Sequence, residues 1–158
     1  MASPVQNNQS SQLLVGIDVG STTAKIAVMD AASHEMLMRR YVRHHAQQAN
    51  CLKSLLAELD QRFEGIPMRA ALCGSGGAAL AEALDLPYVQ EVVANSLAVG
   101  ANYPTARTAI ELGGQDAKMI FFKFDNEANC LSVADMRMNG SCAGGTGAFI
   151  DEIATLLK

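Results

Sequence analysis

Two segments of this chain share one pattern: an apolar strand brings an acidic residue to its end, and a glycine turn leads into a second strand. The segments read GIDVGSTTAKIAV at residues 16–28 and AIELGGQDAKMIF at residues 109–121. Their recurrence indicates that one half, built on this strand–turn–strand unit, has been duplicated within the chain. The repeat therefore predicts two lobes: residues 13–103 form the first, residues 104–158 begin the second, and residues 1–12 are a flexible leader.

Hydrophobic periodicity predicts strands and helices between these turns. The predicted strands cover residues 13–19, 25–29, 35–43, 68–73, 88–92, 108–112, 117–124 and 131–137. The predicted helices cover residues 46–63, 78–84, 93–101 and 149–158. The last helical pattern has no cap and no strand after it, so we expect the chain to be the first part of a longer protein.

Composition narrows the classes of function. The chain has 158 residues, of which 49% are apolar and 18% are charged, as in a globular domain. A net charge of −4 without a basic cluster argues against a nucleic-acid surface. No apolar run approaches the roughly 20 residues that span a membrane, and the first residues do not resemble a secretory signal. The four cysteines lack CxxC spacing, which argues against a self-contained zinc site and favours a reduced, cytoplasmic setting.

The first glycine turn has the residues of a phosphate site. Its strand delivers Asp18, and Gly20 turns the chain so that the following amides can point at phosphate oxygens. A carboxylate near phosphates is best explained by a Mg²⁺ ion, which Asp18 would hold through water. The other nucleotide-binding candidates of this turn are Ser21, Thr22, Thr23 and Lys25. An ordinary β-hairpin with a polar turn is the alternative interpretation.

The second turn suits the terminal phosphate of a nucleotide. Gly113 and Gly114 permit close approach of a γ-phosphate. The candidate catalytic residues, which would orient water or metal, are Glu111, Gln115 and Asp116. The alternative is again a plain hairpin, in which Glu111 pairs with a lysine. Neither turn has the GxxxxGKS/T spacing of a P-loop or the GxGxxG spacing of a Rossmann fold.

A third motif, MNGSCAGGTGAFIDEIA at residues 138–154, places a cysteine beside a glycine-rich turn that opens a helix. Backbone N–H groups at such a helix start bind phosphate, so Gly145, Thr146 and Gly147 are candidate contacts to phosphate or ribose. We expect Cys142 to favour the thiolate form, which ligates metals. The combination suggests that nucleotide turnover acts on a redox centre.

The other cysteines and the histidines belong to no motif. We expect core positions for Cys51, Cys73 and Cys130. The surrounding polar edge region predicts surface positions for His34, His44 and His45.

Three motifs together, at residues 16–25, 111–118 and 138–151, resemble the ATPase activators of 2-hydroxyacyl-CoA dehydratases. That family also contains the ATP-binding subunits of benzoyl-CoA reductase, and it belongs to the superfamily of acetate kinase, sugar kinases, Hsp70 and actin. The two hairpins alone indicate only the superfamily, whereas the third motif, with its cysteine, is specific. The resemblance implies an α/β, RNase H-like (actin-like ATPase) fold. This fold has a mixed sheet with flanking helices and three antiparallel opening strands, and its second lobe would be incomplete here.

The resemblance also implies a function. In the family, each subunit of a homodimer contributes two cysteines to one 4Fe-4S cluster, and ATP hydrolysis drives a low-potential electron into the dehydratase or reductase. On this resemblance Cys142 is the first cluster ligand, ATP and Mg²⁺ bind at the turns, and the protein works in cytoplasmic, anaerobic metabolism. The second cysteine and the adenine-binding motif of the family are expected beyond Lys158.

Two other classes of function remain open. The hairpins also allow a phosphotransferase like the sugar and acetate kinases, although no substrate loop is visible and a kinase has no need of the cysteine. The other class is a remnant without catalytic activity.

Overall fold

The computed structural model describes residues 12–127, 129–139 and 146–157. The strands in these ranges are β1 (Leu13–Val19), β2 (Thr23–Asp30), β3 (Met36–Arg43), β4 (Met68–Cys73), β5 (Thr108–Leu112), β6 (Ala117–Asp125) and β7 (Cys130–Met138). The helices are α1 (Gln48–Arg62), α2 (Gly77–Ala83), α3 (Glu91–Asn102) and α4 (Gly147–Leu156). The predicted site residues Cys142 and Gly145 lie outside the described ranges.

The first sheet is mixed and has the strand order β3-β2-β1-β4. β1, β2 and β3 pair antiparallel, whereas β4 lies parallel to β1 because the chain crosses over through α1. Alternation along β1 buries Leu13, Val15, Ile17 and Val19. The mixed sheet, its flanking helices and the antiparallel opening strands confirm the predicted fold class.

α1 covers the buried face of this sheet. Its Leu52, Leu55 and Leu59 recur at helical spacing, are at most 5% exposed, and pack with Ile26 and Val28 of β2 in one core. Each such aliphatic side chain contributes about 1.5–3 kcal/mol on burial, so this layer fixes the strands from which the first turn projects. In the part of the chain that the structure describes, no helix is long and apolar enough to cross a membrane.

The second sheet is antiparallel and has the order β5-β6-β7. Its buried side is carried by Ile120 and Phe122 of β6. Lys118 precedes Ile120 by two residues and therefore lies on the same side, where it contacts Glu91 of α3. β6 thus directs Lys118 toward α3, the helix that comes immediately before the second sheet in the sequence.

The predictions of one strand and of one core cysteine are wrong. The predicted strand at residues 88–92 is reduced to an isolated bridge between Tyr88 and Leu72, and α3 begins at Glu91. An acidic residue in the first helical turn favours this helix start, because it complements the positive end of the helix dipole. Cys130 is exposed and not in the core, since it begins β7 at the edge of the second sheet.

Candidate functional site

The first turn is bordered by a cross-strand ion pair. Asp18 of β1 stands opposite Lys25 of β2, and Lys25 Nζ lies 2.5 Å from Asp18 Oδ2. The N–H of Gly20 donates to the carbonyl of Thr23 at 2.9 Å, which closes the turn. The Asp18 side chain remains 29% exposed, so it can interact with a ligand as well as with its lysine.

The second turn repeats this arrangement. Glu111 of β5 stands opposite Lys118 of β6, and Lys118 Nζ lies 3.2 Å from Glu111 Oε1. In both hairpins the acid and the lysine are seven positions apart and flank the glycine turn. The pairing of Glu111 with a lysine, considered above as the mark of a plain hairpin, is therefore common to both turns.

Lys118 also links the second turn to α3. Its ammonium group donates to Glu91 Oε2 at 2.7 Å and lies 3.7 Å from Asp116 Oδ1. Asn95 Nδ2 donates to Glu111 Oε2 at 2.9 Å. Burial by itself lowers the pKa of Lys118, but its hydrogen bonds with Glu91 and Glu111 outweigh burial and raise that pKa. Glu111 is consequently oriented by two donors, one of which stays charged.

The two turns touch. Gly114 lies against the side chains of Ser21 and Thr22, so closely that no side chain fits at position 114. The N–H of Gly147 donates to the carbonyl of Gly113 at 2.8 Å, which attaches the start of α4 to the second turn. Turns that are far apart in the sequence therefore share one location.

A cleft of about 220 Å³ lies at this location. The predicted site residues that line it are Asp18, Gly20, Ser21, Thr22, Thr23, Lys25, Glu111, Gly113, Gly114 and Asp116. Among the described candidates, Gln115, Thr146 and Gly147 do not line it, and Thr146 is fully buried. The volume is below the roughly 300–1,000 Å³ of pockets that enclose a drug-sized ligand, and it suits a group of phosphate size.

Several cleft residues were not predicted from the sequence, because they come from the end of β4, the turn after it and α3. They are Cys73, Ser75, Glu91, Ala94 and Asn95. Cys73, expected in the core, is half-buried and stands opposite Asp18 in the sheet. Burial, followed by the negative charges of Asp18 and Glu91, raises the pKa of its thiol to about 11. The thiol is therefore protonated at neutral pH, which disfavours a role as metal ligand or nucleophile.

His44 is also placed differently from the prediction. It was expected at the surface, but it is only 4% exposed, and its Nε2 lies 3.0 Å from the carbonyl oxygen of Gly20. β3 pairs with β2 as far as its last residue, Arg43, which stands opposite Thr23, so the residue after β3 falls beneath the turn. This strand register cannot be read from the polar residues around His44.

The charges around the cleft favour a bound cation. Among the described residues, the carboxylates come from Asp18, Glu91, Glu111 and Asp116. The ammonium groups that pair with them come from Lys25 and Lys118. Mg²⁺ fits this excess of acid, because it binds through one or two carboxylates together with phosphate oxygens and water. In the described ranges, no group of three or more His, Cys, Asp or Glu side chains is arranged to hold a metal ion, so a metal here would need ligands from phosphate and water.

The mixed sheet with its two facing acid–glycine turns belongs to the class of actin-like ATPase folds, and solved structures of this class superpose on it. Within that class, the chain belongs to the BadF/BadG/BcrA/BcrD ATPase family, whose model matches residues 15–158.

Relatives of known activity support the same family. The (R)-2-hydroxyglutaryl-CoA dehydratase activating ATPase of Acidaminococcus fermentans is 26% identical over 145 residues, 91% of this chain and 53% of that protein. The crystal structure of (R)-2-hydroxyglutaryl-CoA dehydratase component A from Acidaminococcus fermentans has a TM-score of 0.73 at 26% identity, over 93% of this chain and 54% of that one. The activator of the 2-hydroxyisocaproyl-CoA dehydratase from Clostridium difficile, solved with bound ADPNP, has a TM-score of 0.65 at 24% identity, over 93% and 52% of the two chains. The chain spans about half the length of the curated relatives it matches.

Proposed function

We propose that this chain supplies the phosphate-binding part of the ATP site in an ATPase that activates a CoA-ester dehydratase or a related reductase. Its membership of an ATPase family and its relatives among the activators of 2-hydroxyacyl-CoA dehydratases support this role. The observation that carries the proposal is the cleft that both acids of the acid–lysine pairs, Asp18 and Glu111, line together.

The proposed roles follow from the position of each group. The turn at residues 20–23 offers backbone N–H groups and hydroxyls to phosphate, and Lys25 adds a positive charge. Gly113 and Gly114 line the cleft, and their bare backbone would let the terminal phosphate approach closely. Mg²⁺, when bound through Asp18 and water, would neutralise the charge that develops on the phosphates.

The two proposed catalytic acids, Glu111 and Asp116, differ in how firmly their side chains are held in place. Glu111 is fixed by Lys118 and Asn95, which suits a carboxylate that orients a water molecule. Asp116 is 45% exposed and lies 3.7 Å from Lys118, so it is freer to turn toward a ligand. Gln115 lies between Gly114 and Asp116 and remains a candidate only through that position.

The division into lobes is also part of the proposal. Residues 13–103 would form the first lobe and residues 104–158 would begin the second. The support is that each range opens with the same acid–lysine hairpin and that each hairpin belongs to a separate sheet.

The proposal extends from ATP binding to electron transfer through an iron–sulfur cluster. Cys142 would supply one ligand to a 4Fe-4S cluster shared across a homodimer of the longer protein, in a cytoplasmic, anaerobic setting. The cysteines of the described ranges, Cys51, Cys73 and Cys130, lie in α1, β4 and β7 and belong to no group of metal-binding side chains. The proposal therefore depends on Cys142. In a full-length dimer, Cys142→Ser should abolish bound iron while Cys130→Ser leaves it, and stoichiometric iron in the Cys142 variant would remove the cluster assignment.

Nucleotide binding can be tested on the chain itself by a backbone amide NMR titration with ADPNP. With Mg²⁺ present, we expect saturable shifts at residues 20–23 and at Gly113 and Gly114. Asp18→Asn should weaken the affinity about tenfold by removing the carboxylate that anchors the metal, whereas Asp60→Asn on the exposed side of α1 should not. Absence of saturable shifts, or an affinity unaffected by Asp18→Asn, would contradict the proposal.

A further inference from the structure

A buried histidine lies beneath the first turn and belongs to none of the groups assigned above. His44 is 4% exposed and follows the last residue of β3. Its ring and its backbone both contact the turn: Nε2 lies 3.0 Å from the carbonyl oxygen of Gly20, and its N–H donates to the carbonyl of Thr22 at 3.2 Å. Ser21 and its neighbours line the cleft, whereas His44 does not. The histidine therefore contacts the turn from outside the ligand site.

The two nitrogens of the ring have different surroundings. A carbonyl oxygen only accepts hydrogen bonds, so Nε2 must carry the proton that it donates to Gly20. The Nδ1 atom is buried and has no hydrogen-bond partner in the part of the chain that the structure describes. Leaving a polar atom unpaired is unfavourable, and an apolar side chain would avoid it. The contact with Gly20 is thus the feature that distinguishes a histidine from a simple packing residue here.

This contact sets the direction of one peptide plane in the turn. In a trans peptide, the carbonyl and the following N–H point in opposite directions. Because Nε2 holds the Gly20 carbonyl, the N–H of Ser21 is turned away from the histidine. We propose that His44 is a positioning residue for the phosphate-binding turn, which holds the Gly20–Ser21 peptide so that the Ser21 N–H is available to a phosphate oxygen. This inference rests on the proposed nucleotide-binding function of the turn.

Two substitutions separate positioning from packing. His44→Leu keeps an apolar side chain but removes the donor, whereas His44→Gln keeps an N–H donor at a distance close to that of Nε2. We expect His44→Leu to weaken binding of Mg²⁺–ADPNP about five- to tenfold, the effect of one hydrogen bond, and His44→Gln to restore most of the affinity. His45→Asn is the matched control, since His45 is exposed, has a φ of +47° that asparagine tolerates, and should leave the affinity unchanged.

The readouts are the affinity from backbone amide shifts and the ring tautomer from ¹H–¹⁵N correlations of the histidine side chains. The wild-type ring should carry its proton on Nε2, and without nucleotide the amide resonance of Ser21 should shift more in His44→Leu than in His44→Gln. A proton on Nδ1, equal affinity in wild type and His44→Leu, or a glutamine variant no better than the leucine variant would overturn the inference. If the wild-type chain binds no Mg²⁺–ADPNP, the proposed function fails, while the tautomer and the Ser21 amide shift still decide whether His44 holds the turn. If His44→Leu does not fold, the wild-type tautomer and the glutamine variant decide the same question.

Discussion

Gly114 lies against Thr22 where the two turns meet: a Cβ at position 114 would be 2.7 Å from Thr22 Cγ2, closer still to Thr22 Oγ1, and 3.0 Å from Ser21 Oγ. Real Cβ atoms essentially never approach other atoms as closely as this one would approach Thr22. The threonine is β-branched and stiff at χ1, so it cannot simply rotate out of the way. Glycine is thus required in the second turn by a side chain of the first.

Gly114→Ala should therefore separate the two turns. We expect the affinity for Mg²⁺–ADPNP to fall about tenfold or more, because phosphate groups held from both sides tolerate little displacement. The loss should be measured by the amide titration described above. Gly16→Ala is the matched control, since a Cβ at this position of β1 would meet nothing within 4 Å.

The steric cause can be isolated with Thr22→Ala. Removing Oγ1 and Cγ2 opens the space that the new Cβ needs, so Gly114→Ala should be less harmful in the Thr22→Ala background than in the wild type. An equal penalty in both backgrounds would show that the clash with Thr22 is not the reason.

A second glycine is required beside the first turn. Gly74 has a φ of +96°, and a Cβ there would lie 2.5 Å from the carbonyl carbon of Val19, with Asp18 Oδ1 and the Val19 oxygen nearer still. Gly74→Ala should lower the free energy of unfolding by about 2–5 kcal/mol, the sum of left-handed strain and overpacking. Gly65→Ala is the control for strain without overpacking, because Gly65 has a φ of +73° and a Cβ there would meet nothing within 4 Å. In urea unfolding, this variant should lose only about 1–2 kcal/mol of its free energy of unfolding. Equal losses in the two variants would show that the space around Gly74 is unimportant.

Much of the fold was predictable because strands that are buried on one side alternate regularly. The predicted limits of β1, β4 and β5 agree with the structure, and those of α1 differ by one or two residues. The strand predicted at residues 88–92 was wrong because a short apolar run fits both periods, and Glu91 at the helix start decided between them.

The site was predictable only where a local motif marked it. Both acid–lysine pairs lie within single hairpins, and Lys118 could have been recognised because it occupies the position of Lys25 in the repeat. Glu91 reaches the site through the packing of α3, and His44 reaches the underside of the first turn through the register of β3. Those are tertiary relationships for which a single sequence contains no periodic signal.

Lys118 is expected to be the most important charge for stability. Lys118→Met leaves Glu91 and Glu111 facing each other without a cation, which should lower the free energy of unfolding by about 2–4 kcal/mol at pH 7. The figure lies toward the low end for a broken buried pair, because the two acids are 24% and 25% exposed. Lys123→Met, at an exposed position of β6, is the control and should have little effect.

The pH dependence of the free energy of unfolding tests the interaction of Lys118 with Glu91 and Glu111. The pKa of Lys118 is raised in the folded state, so its contribution is fully present below the ordinary lysine pKa of about 10.4 and is lost only as the pH rises beyond that value. The stability gap between the wild type and Lys118→Met should therefore stay constant from pH 7 to about pH 10 and narrow at higher pH. Urea unfolding at pH 7 and at about pH 11.5 measures this gap, and a gap that is equal or wider at the higher pH would contradict the assigned network.

Cys73 should report on the occupancy of the cleft. Its thiol has a pKa raised to about 11 by burial and by the charges of Asp18 and Glu91, and only the thiolate reacts with alkylating reagents. Alkylation followed by peptide mass spectrometry should therefore find Cys73 modified far more slowly than the exposed Cys130 at pH 8, with a rate that rises about tenfold per pH unit toward pH 11. Because Cys73 lines the cleft, Mg²⁺–ADPNP should slow its reaction further and leave Cys130 unaffected. A fast alkylation of Cys73 that does not depend on pH would show that its thiol is not held beside these carboxylates. If nucleotide binds without slowing the alkylation of Cys73, it must occupy another part of the molecule.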